Sequence, residues 1–369
     1  MTKIHQLNEL GQSIWFDYIE RQLLRKGGLK ALIDKGITGV TSNPSIFEKA
    51  ITSSADYDED IAILAKQGNS APAIYEALAF SDIREAADCL KPVYEKTNGA
   101  DGFVSLEVSP EIANDSAKTY QEGIRLFQTL DRPNVMIKVP ATQNGMDAVT
   151  RLIAAGVNVN VTLIFSVRHY VASAQSYIKG IKQLIKQGPS IKGGLSADRV
   201  SSVASVFISR TDSAIDRFLL ETDRTDLIGT MAISVAKSAY AKFMQLFSGS
   251  DWNVLAKKGA KVQRPLWAST STKNPDFPDT MYVDELIGPH TVNTLPPNTV
   301  DAFLDHGSVS ETLTAGLNLA DQRIQELHLF GIDLDRVLQS LQDQGLDAFS
   351  KSFSSLLESV SDKKEGYLN

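Results

Sequence analysis

The feature that most constrains the fold is a recurrence. Short runs of β-branched, aliphatic and aromatic residues return along the chain, each separated from the next by a longer stretch with helical patterning. The runs cover residues 13–18, 38–42, 103–108, 135–139, 158–163 and 202–207, with weaker ones at 265–269 and 291–295. Strands that alternate with helices imply parallel pairing through crossover connections, and eight of them fit an α/β (β/α)8 TIM barrel better than an open doubly wound sheet. The glycine fingerprint of a dinucleotide-binding turn is absent, which also argues against the open sheet.

Two helical stretches exceed a minimal barrel, one at 58–95 between the second and third strands and one at 309–361 beyond the eighth. They are expected to decorate it. No internal repeat, low-complexity tract or Pro/Gly/Ser-rich linker interrupts the chain, so residues 1–369 read as a single barrel domain with these additions. The C-terminal stretch has three open roles: covering the barrel mouth, lying on its side, or pairing subunits. Monomer and homodimer are therefore both compatible with the sequence.

Charge and cysteine content limit the partners. With 37 basic and 44 acidic residues the net charge is −7, and no basic block marks a nucleic-acid surface. A few cations in a pocket are nevertheless enough to bind an anionic small molecule. The single cysteine, Cys89, excludes an intramolecular disulfide framework and favours a reducing compartment. The first residues lack the apolar core of a signal peptide and no stretch has the length of a membrane span, so a cytoplasmic location is expected, with no membrane partner. Five scattered histidines give no HExxH or Cys/His cluster, and neither a metal nor a cofactor is expected.

Strands buried on both faces usually read as continuous apolar runs, so a polar stripe within one needs a cause. In the fifth run Val157, Val159, Val161 and Leu163 alternate with Asn158, Asn160 and Thr162. Successive side chains point to opposite faces, so the apolar set is expected under the helices and the polar set inside the barrel. An unpartnered amide there costs about 1 to 3 kcal/mol, a penalty that a solvated site removes. The same alternation points Lys138 inward in the fourth run and Ser105 and Glu107 inward in the third. Ser205 and Phe207 share a face in the sixth, Asp17 ends the first run, and Asn43 follows the second.

Each of these residues also has a purely structural reading. Asp17 with Glu20 has the spacing of a helix capping box. Glu107 and Lys138 suit a buried ion pair, Asn43-Pro44 a helix start, and Asn160 with Thr162 a buried water. None of these readings explains why all the groups share one rim. A lysine amine attacks a carbonyl only as the neutral base, and an apolar setting such as Met136 and Phe207 provide disfavours the ammonium. Lys138 is accordingly read as the residue that forms an imine with a carbonyl substrate. Carbinolamine dehydration needs a proton shuttle, for which Glu107 and a water held by Thr162 suffice, and C–C cleavage needs a separate base, for which Asp17 is placed.

At these positions the chain resembles the transaldolases, the class I Schiff-base aldolases of the pentose phosphate pathway, and in particular their longer bacterial-type subgroup. Gly39-Val40-Thr41-Ser42-Asn43-Pro44-Ser45-Ile46-Phe47 is similar to one family signature. Ile137-Lys138-Val139-Pro140-Ala141-Thr142-Gln143-Asn144-Gly145 is similar to the lysine signature. The resemblance implies that Lys138 is the Schiff-base lysine, Asp17 the acid/base at the C3–C4 bond, and Glu107 the shuttle acting through a water. It places Asn43, Asn160 and Thr162 at that water and the substrate hydroxyls, and Ser205 and Arg210 at the donor's hydroxyls and phosphate. The implied reaction moves a dihydroxyacetone unit from sedoheptulose 7-phosphate to glyceraldehyde 3-phosphate, giving erythrose 4-phosphate and fructose 6-phosphate, without a cofactor.

One segment departs from the family pattern. Many transaldolases carry Ala-Ser-Phe-Arg-Asn after the seventh strand, with the arginine on phosphate; here the segment is Ala268-Ser269-Thr270-Ser271-Thr272-Lys273-Asn274. An ungapped match puts Ser271 at the arginine position. Ser269 and Lys273 are then the expected substrate contacts, Lys273 as a point charge. Two alternatives stand beside this reading: a fructose 6-phosphate aldolase, whose relatives typically carry Gln at the Glu107 position and Tyr at the Phe207 position, and a non-catalytic sugar-phosphate-binding barrel.

Overall fold

A computed structural model describes residues 1–368, the His328 side chain excepted. Eight parallel strands close into a barrel in sequence order: β1 (Gln12–Phe16), β2 (Gly39–Val40), β3 (Phe103–Glu107), β4 (Val135–Pro140), β5 (Val159–Ile164), β6 (Ser202–Phe207), β7 (Gln263–Ala268) and β8 (Thr291–Leu295). β8 pairs back to β1, with Gln12 opposite Thr291 and Phe16 opposite Leu295. The expected TIM barrel is thus the fold.

The two faces of the strands separate as the alternation requires. Ile14, Val104, Leu106, Val135, Ile137, Val159 and Val161 join the core beneath the helices. Trp15, Phe103, Met136, Val203, Leu266 and Val292 fill the barrel interior. β2 contributes a glycine to this layer, because a Cβ on Gly39 would stand 2.6 Å from the Trp15 indole. The lower end is closed by polar contacts: Trp15 Nε1 donates to Asp101 at 2.7 Å and Arg264 donates to Ser13 Oγ at 2.7 Å.

β5 departs from strict alternation. Leu163 adopts a left-handed φ of 58°, and the pairing with β6 shifts register between Val161 and Ile164. The expectation that Leu163 lies under the helices with Val159 and Val161 is therefore corrected. It turns into the inner cluster with Phe165 and Phe207, while Ile164 takes the helix-side place. A bulge adds one residue to a strand and re-aims every side chain beyond it.

The stretch at 58–95 resolves into two helices, Asp58–Lys66 and Ala71–Lys96. Gly68 ends the first at φ 80°, and the Ser70 hydroxyl caps the second. The C-terminal stretch likewise forms two. Leu317–Leu329 lies against the helix Met231–Leu246, and Leu334–Gly366 crosses the barrel mouth and continues along Pro44–Ser53, Asp58–Lys66 and Ala71–Lys96. Ser45 donates to Ser352 at 2.8 Å, Ser355 to Glu48 at 2.6 Å, and Lys363 pairs with Asp58 at 2.6 Å. Of the three roles open to this segment, covering the mouth and lying on the barrel's side are both observed within the chain. Among the described residues no helix is long and apolar enough to cross a membrane.

The loop after β1 is anchored by a buried ion pair. Arg21, 1% exposed, donates from Nε to Asp82 Oδ1 at 3.1 Å; Tyr57 donates to the other Asp82 oxygen at 2.8 Å, and its ring lies 4.3 Å from the guanidinium. Nη1 of Arg21 also pairs with the partly exposed Asp60 at 2.5 Å, but removing Asp82 leaves the buried Nε without an acceptor, which is more costly than removing both buried partners. Asp82→Ala should lower the unfolding free energy by about 3 to 5 kcal/mol, and Arg21→Met combined with Asp82→Leu should recover most of it. Denaturant unfolding of the two variants checks this; equal losses would show that the pair itself is the source of stability.

Candidate active site

Register brings the inward polar groups together. Glu107 on β3 pairs with Lys138 on β4, Lys138 pairs with Asn160 on β5, and Pro140 pairs with Thr162. Lys138 and Glu107 are 5% and 9% exposed, with Nζ 3.2 Å from Glu107 Oε2. Nζ also donates to the Ser42 carbonyl at 3.2 Å, and it faces the Phe349 ring 5.4 Å from the centroid. The ion pair is set by distance rather than alignment, so both Glu107 oxygens and the buried Thr162 hydroxyl have no aligned hydrogen-bond partner within the protein. Such groups are the ones that a reacting molecule or a water would satisfy.

Deeper in the barrel the polar groups satisfy one another. Asn160, fully buried, donates to Ser105 Oγ at 3.1 Å and accepts from Ser205 Oγ at 2.7 Å. Of the expected substrate contacts, Asn160 and Ser205 therefore form a support layer beneath the lysine. Alternation predicted their direction; which partners they choose is set by barrel closure.

Asp17 stands just beyond β1, two strands from Glu107 around the barrel. Thr41 donates to its Oδ1 at 2.6 Å, and Thr41 in turn shares a 2.6 Å contact with Thr294 on β8. The capping alternative for Asp17 is not what the structure shows: Glu20 is the N-cap of Arg21–Arg25 without a side-chain bond. For Asn43 the structural reading does hold, since its Oδ1 accepts from Ile46 N at 3.0 Å and Pro44 opens the helix. Asn43 nevertheless lines both openings at the mouth. One is a cavity of about 100 Å³ bounded by Phe47, Tyr75, Glu107 and Phe353; the other is a cleft of about 660 Å³ bounded by Asp17, Lys49, Ser271 and Asn298.

Cations flank this mouth at different depths. Arg210, half-buried, lies 5.9 Å from the Phe207 ring centroid, and burial lowers its proton affinity without a carboxylate beside it. Lys273 is exposed and donates to Ser271 Oγ at 2.8 Å, which puts it at the outer edge of the cleft. Ser269 takes a left-handed φ of 57° and shares a 3.0 Å contact with Ser209 Oγ. Lys49, lining the same cleft as Ser271, gave no signal in the sequence, since its helix reads as an ordinary solvated face. Thr41, Thr294 and the Ser42 carbonyl were also missed. Strand alternation marks Thr294 as inward, but a backbone acceptor such as Ser42 leaves no trace in side-chain patterning. Among the described residues no group of three or more His, Cys, Asp or Glu is arranged to hold a metal ion.

Burial dominates the site's electrostatics. It raises the pKa of Glu107 above the ordinary carboxylate value, with the nearby Lys138 charge opposing. It raises that of Asp17 too, against the Thr41 hydrogen bond and the Lys138 charge. Both carboxyls thus hold a proton more readily than in water.

The chain is similar to known proteins over nearly its whole length. The family model described as transaldolase/fructose-6-phosphate aldolase matches residues 14–360. A transaldolase of Trichodesmium erythraeum is 46% identical, covering 97% of this chain and 96% of its own length. A transaldolase of Neisseria gonorrhoeae is 43% identical, covering 97% and 99%, and one of Thermobifida fusca is 41% identical, covering 97% of both.

Asp17→Asn tests the electrostatic assignment through stability. Because the folded-state pKa of Asp17 is raised, folding favours its protonated form, and the wild type is penalised as pH rises through that raised value. At pH 7 the asparagine variant should melt higher than wild type, and the gap should close on acidification towards the ordinary carboxylate range. A pH-independent difference in melting temperature would contradict the assignment.

Proposed function

The chain belongs to the transaldolase/fructose-6-phosphate aldolase family, and on that premise we propose how its residues perform the family's chemistry. Its activity is that of a transaldolase, a transferase acting on phosphorylated sugars: a dihydroxyacetone unit passes from sedoheptulose 7-phosphate to glyceraldehyde 3-phosphate, giving erythrose 4-phosphate and fructose 6-phosphate. The observation that carries the assignment of roles is the Lys138 amine held 3.2 Å from Glu107, both almost wholly buried, at the open end of the barrel.

The Lys138 amine attacks C2 of the donor ketose, and the carbinolamine loses its hydroxyl as water. Glu107, whose burial favours the protonated form, delivers the proton through a water held at the Thr162 hydroxyl. The iminium then accepts the electron pair of the breaking C3–C4 bond while Asp17 takes the proton of the C4 hydroxyl. Erythrose 4-phosphate departs, and the C3 enamine attacks the aldehyde carbon of the acceptor. Asp17 returns its proton to the new alkoxide, and water releases fructose 6-phosphate by reversing imine formation. Asn160 and Ser205 hold the floor of the site, Asn43 and Ser269 face the sugar hydroxyls, and Arg210 with Lys273 supplies positive charge for phosphate. The enzyme works as one barrel domain in the cytoplasm, a setting that suits its single cysteine and modest negative charge.

Borohydride reduction in the presence of fructose 6-phosphate, followed by peptide mass analysis, is the direct test. A dihydroxyacetone adduct is expected on Lys138, and an adduct elsewhere, or none, would sink the mechanism. Glu107→Gln should slow imine formation and hydrolysis by about 10²- to 10⁴-fold, the usual worth of positioned acid–base catalysis; unchanged transfer kinetics would remove its shuttle role. Arg210→Ala should lower kcat/KM for phosphorylated donors by about 10- to 100-fold, as for loss of a charge-assisted hydrogen bond. Lys273→Ala, at the solvent edge, should cost less. The reverse order would move the main phosphate contact to Lys273.

A further inference from the structure

The helix Leu334–Gly366 places three residues of one face against the carboxyl end of the barrel. Gln342, Gly345 and Phe349 are spaced by three and four residues, the interval that stacks side chains on a single helical stripe. Gln342, 5% exposed, donates from Nε2 to the Ala141 carbonyl at 3.0 Å and to the Leu163 carbonyl at 2.9 Å, the ends of β4 and β5. Gly345 permits the close approach, because a Cβ there would stand 2.9 Å from Leu163 Cδ2. Phe349, also 5% exposed, lies with its ring 5.4 Å from Lys138 Nζ. The β5 bulge and the helix are therefore fastened to each other, and the fastening puts an aromatic cover over the lysine.

That cover bears on a problem peculiar to transfer. After C3–C4 cleavage the three-carbon unit waits on Lys138 as an enamine until an acceptor arrives. Forward, the C3 electron pair bonds to the acceptor's aldehyde carbon and the aldehyde oxygen takes a proton from Asp17. In the competing route a solvent water protonates C3 and leaves hydroxide, hydroxide adds to C2 of the iminium, and the C2–Nζ bond breaks with its pair returning to nitrogen as the new hydroxyl becomes the carbonyl and gives its proton to Nζ. Dihydroxyacetone is then lost. Excluding bulk water from a reactive intermediate is how a closed site suppresses such leakage.

We propose that Phe349 determines whether the dihydroxyacetone unit is transferred or released, and that Gln342 is the positioning residue that holds Phe349 in place. The inference rests on the Schiff-base reading of Lys138 given above. Its signature is a ratio rather than a rate: free dihydroxyacetone formed per transfer event, with fructose 6-phosphate as donor and an aldose phosphate as acceptor.

Phe349→Ala should raise that ratio by about fivefold or more by admitting water to the enamine, Phe349→Leu by less, and Phe349→Tyr should stay near wild type. Gln342→Ala should raise it in the same direction while leaving residue 349 unchanged, which keeps the test open if Phe349→Ala fails to fold. Total activity that falls in these variants with no change in the ratio would overturn the proposal, because a merely structural role would slow transfer and release together. Borohydride labelling of Lys138 in the wild type separates the two failures. Labelling with an unmoved ratio removes the cover and leaves the Schiff base; no labelling removes the Schiff base and, with it, the proposal.

Discussion

An amine and a carboxylate buried 3.2 Å apart inside a barrel are costly to isolate from water, and much of the surrounding structure follows from making that tolerable. Coulomb attraction offsets part of the desolvation, but each group has further polar capacity to satisfy. The Ser42 carbonyl accepts from Lys138, and the layer of Ser105, Asn160 and Ser205 beneath it is internally hydrogen-bonded. Glu107 and Thr162 keep unaligned polar atoms facing the mouth. A layer satisfied below and unsatisfied above is rigid where it supports the lysine and receptive where a substrate must bind.

The two carboxyls of the mechanism occupy different walls for a physical reason. Glu107 sits on the strand adjacent to the lysine and is governed by desolvation against one close cation, whereas Asp17, two strands further round the barrel, is held by Thr41 and, through it, Thr294 at the strands flanking β1. Two acids that shared one wall would repel each other and titrate as a coupled pair. In the proposed mechanism each then serves a different part of the sugar, Glu107 the carbinolamine hydroxyl and Asp17 the C4 hydroxyl at the bond that breaks.

Much of this arrangement was legible in residue order, and the exceptions are instructive. Val104, Leu106, Ile137, Val159 and Val161 fall on the helix-facing side as a period of two demands, and Lys138, Glu107 and Asn160 fall inside. Leu163 broke the rule because a bulge is a matter of pairing with the neighbouring strand, and one left-handed residue reverses the face of those that follow. Asn43 follows its structural reading, capping a helix through Oδ1 while lining both openings at the mouth. Gln342 and Phe349 gave no sign at all. They lie on a long helix whose pattern shows only that some face is buried, not against what.

The sequence by itself determined the local facts: which segments become strands, which side chains of a strand oppose each other, and the family motifs around Asn43 and Lys138. These depend on backbone geometry and side-chain type over a few residues, and they survive any rearrangement of the elements. The tertiary structure alone decided which polar groups partner one another across the barrel, that Lys49 and Ser271 border one cleft, and that a helix two hundred residues downstream in sequence closes over Lys138. Those outcomes depend on closure of the barrel and on the register shift in β5. Contacts between distant segments are fixed by the packing of whole elements, and residue order records that packing only indirectly.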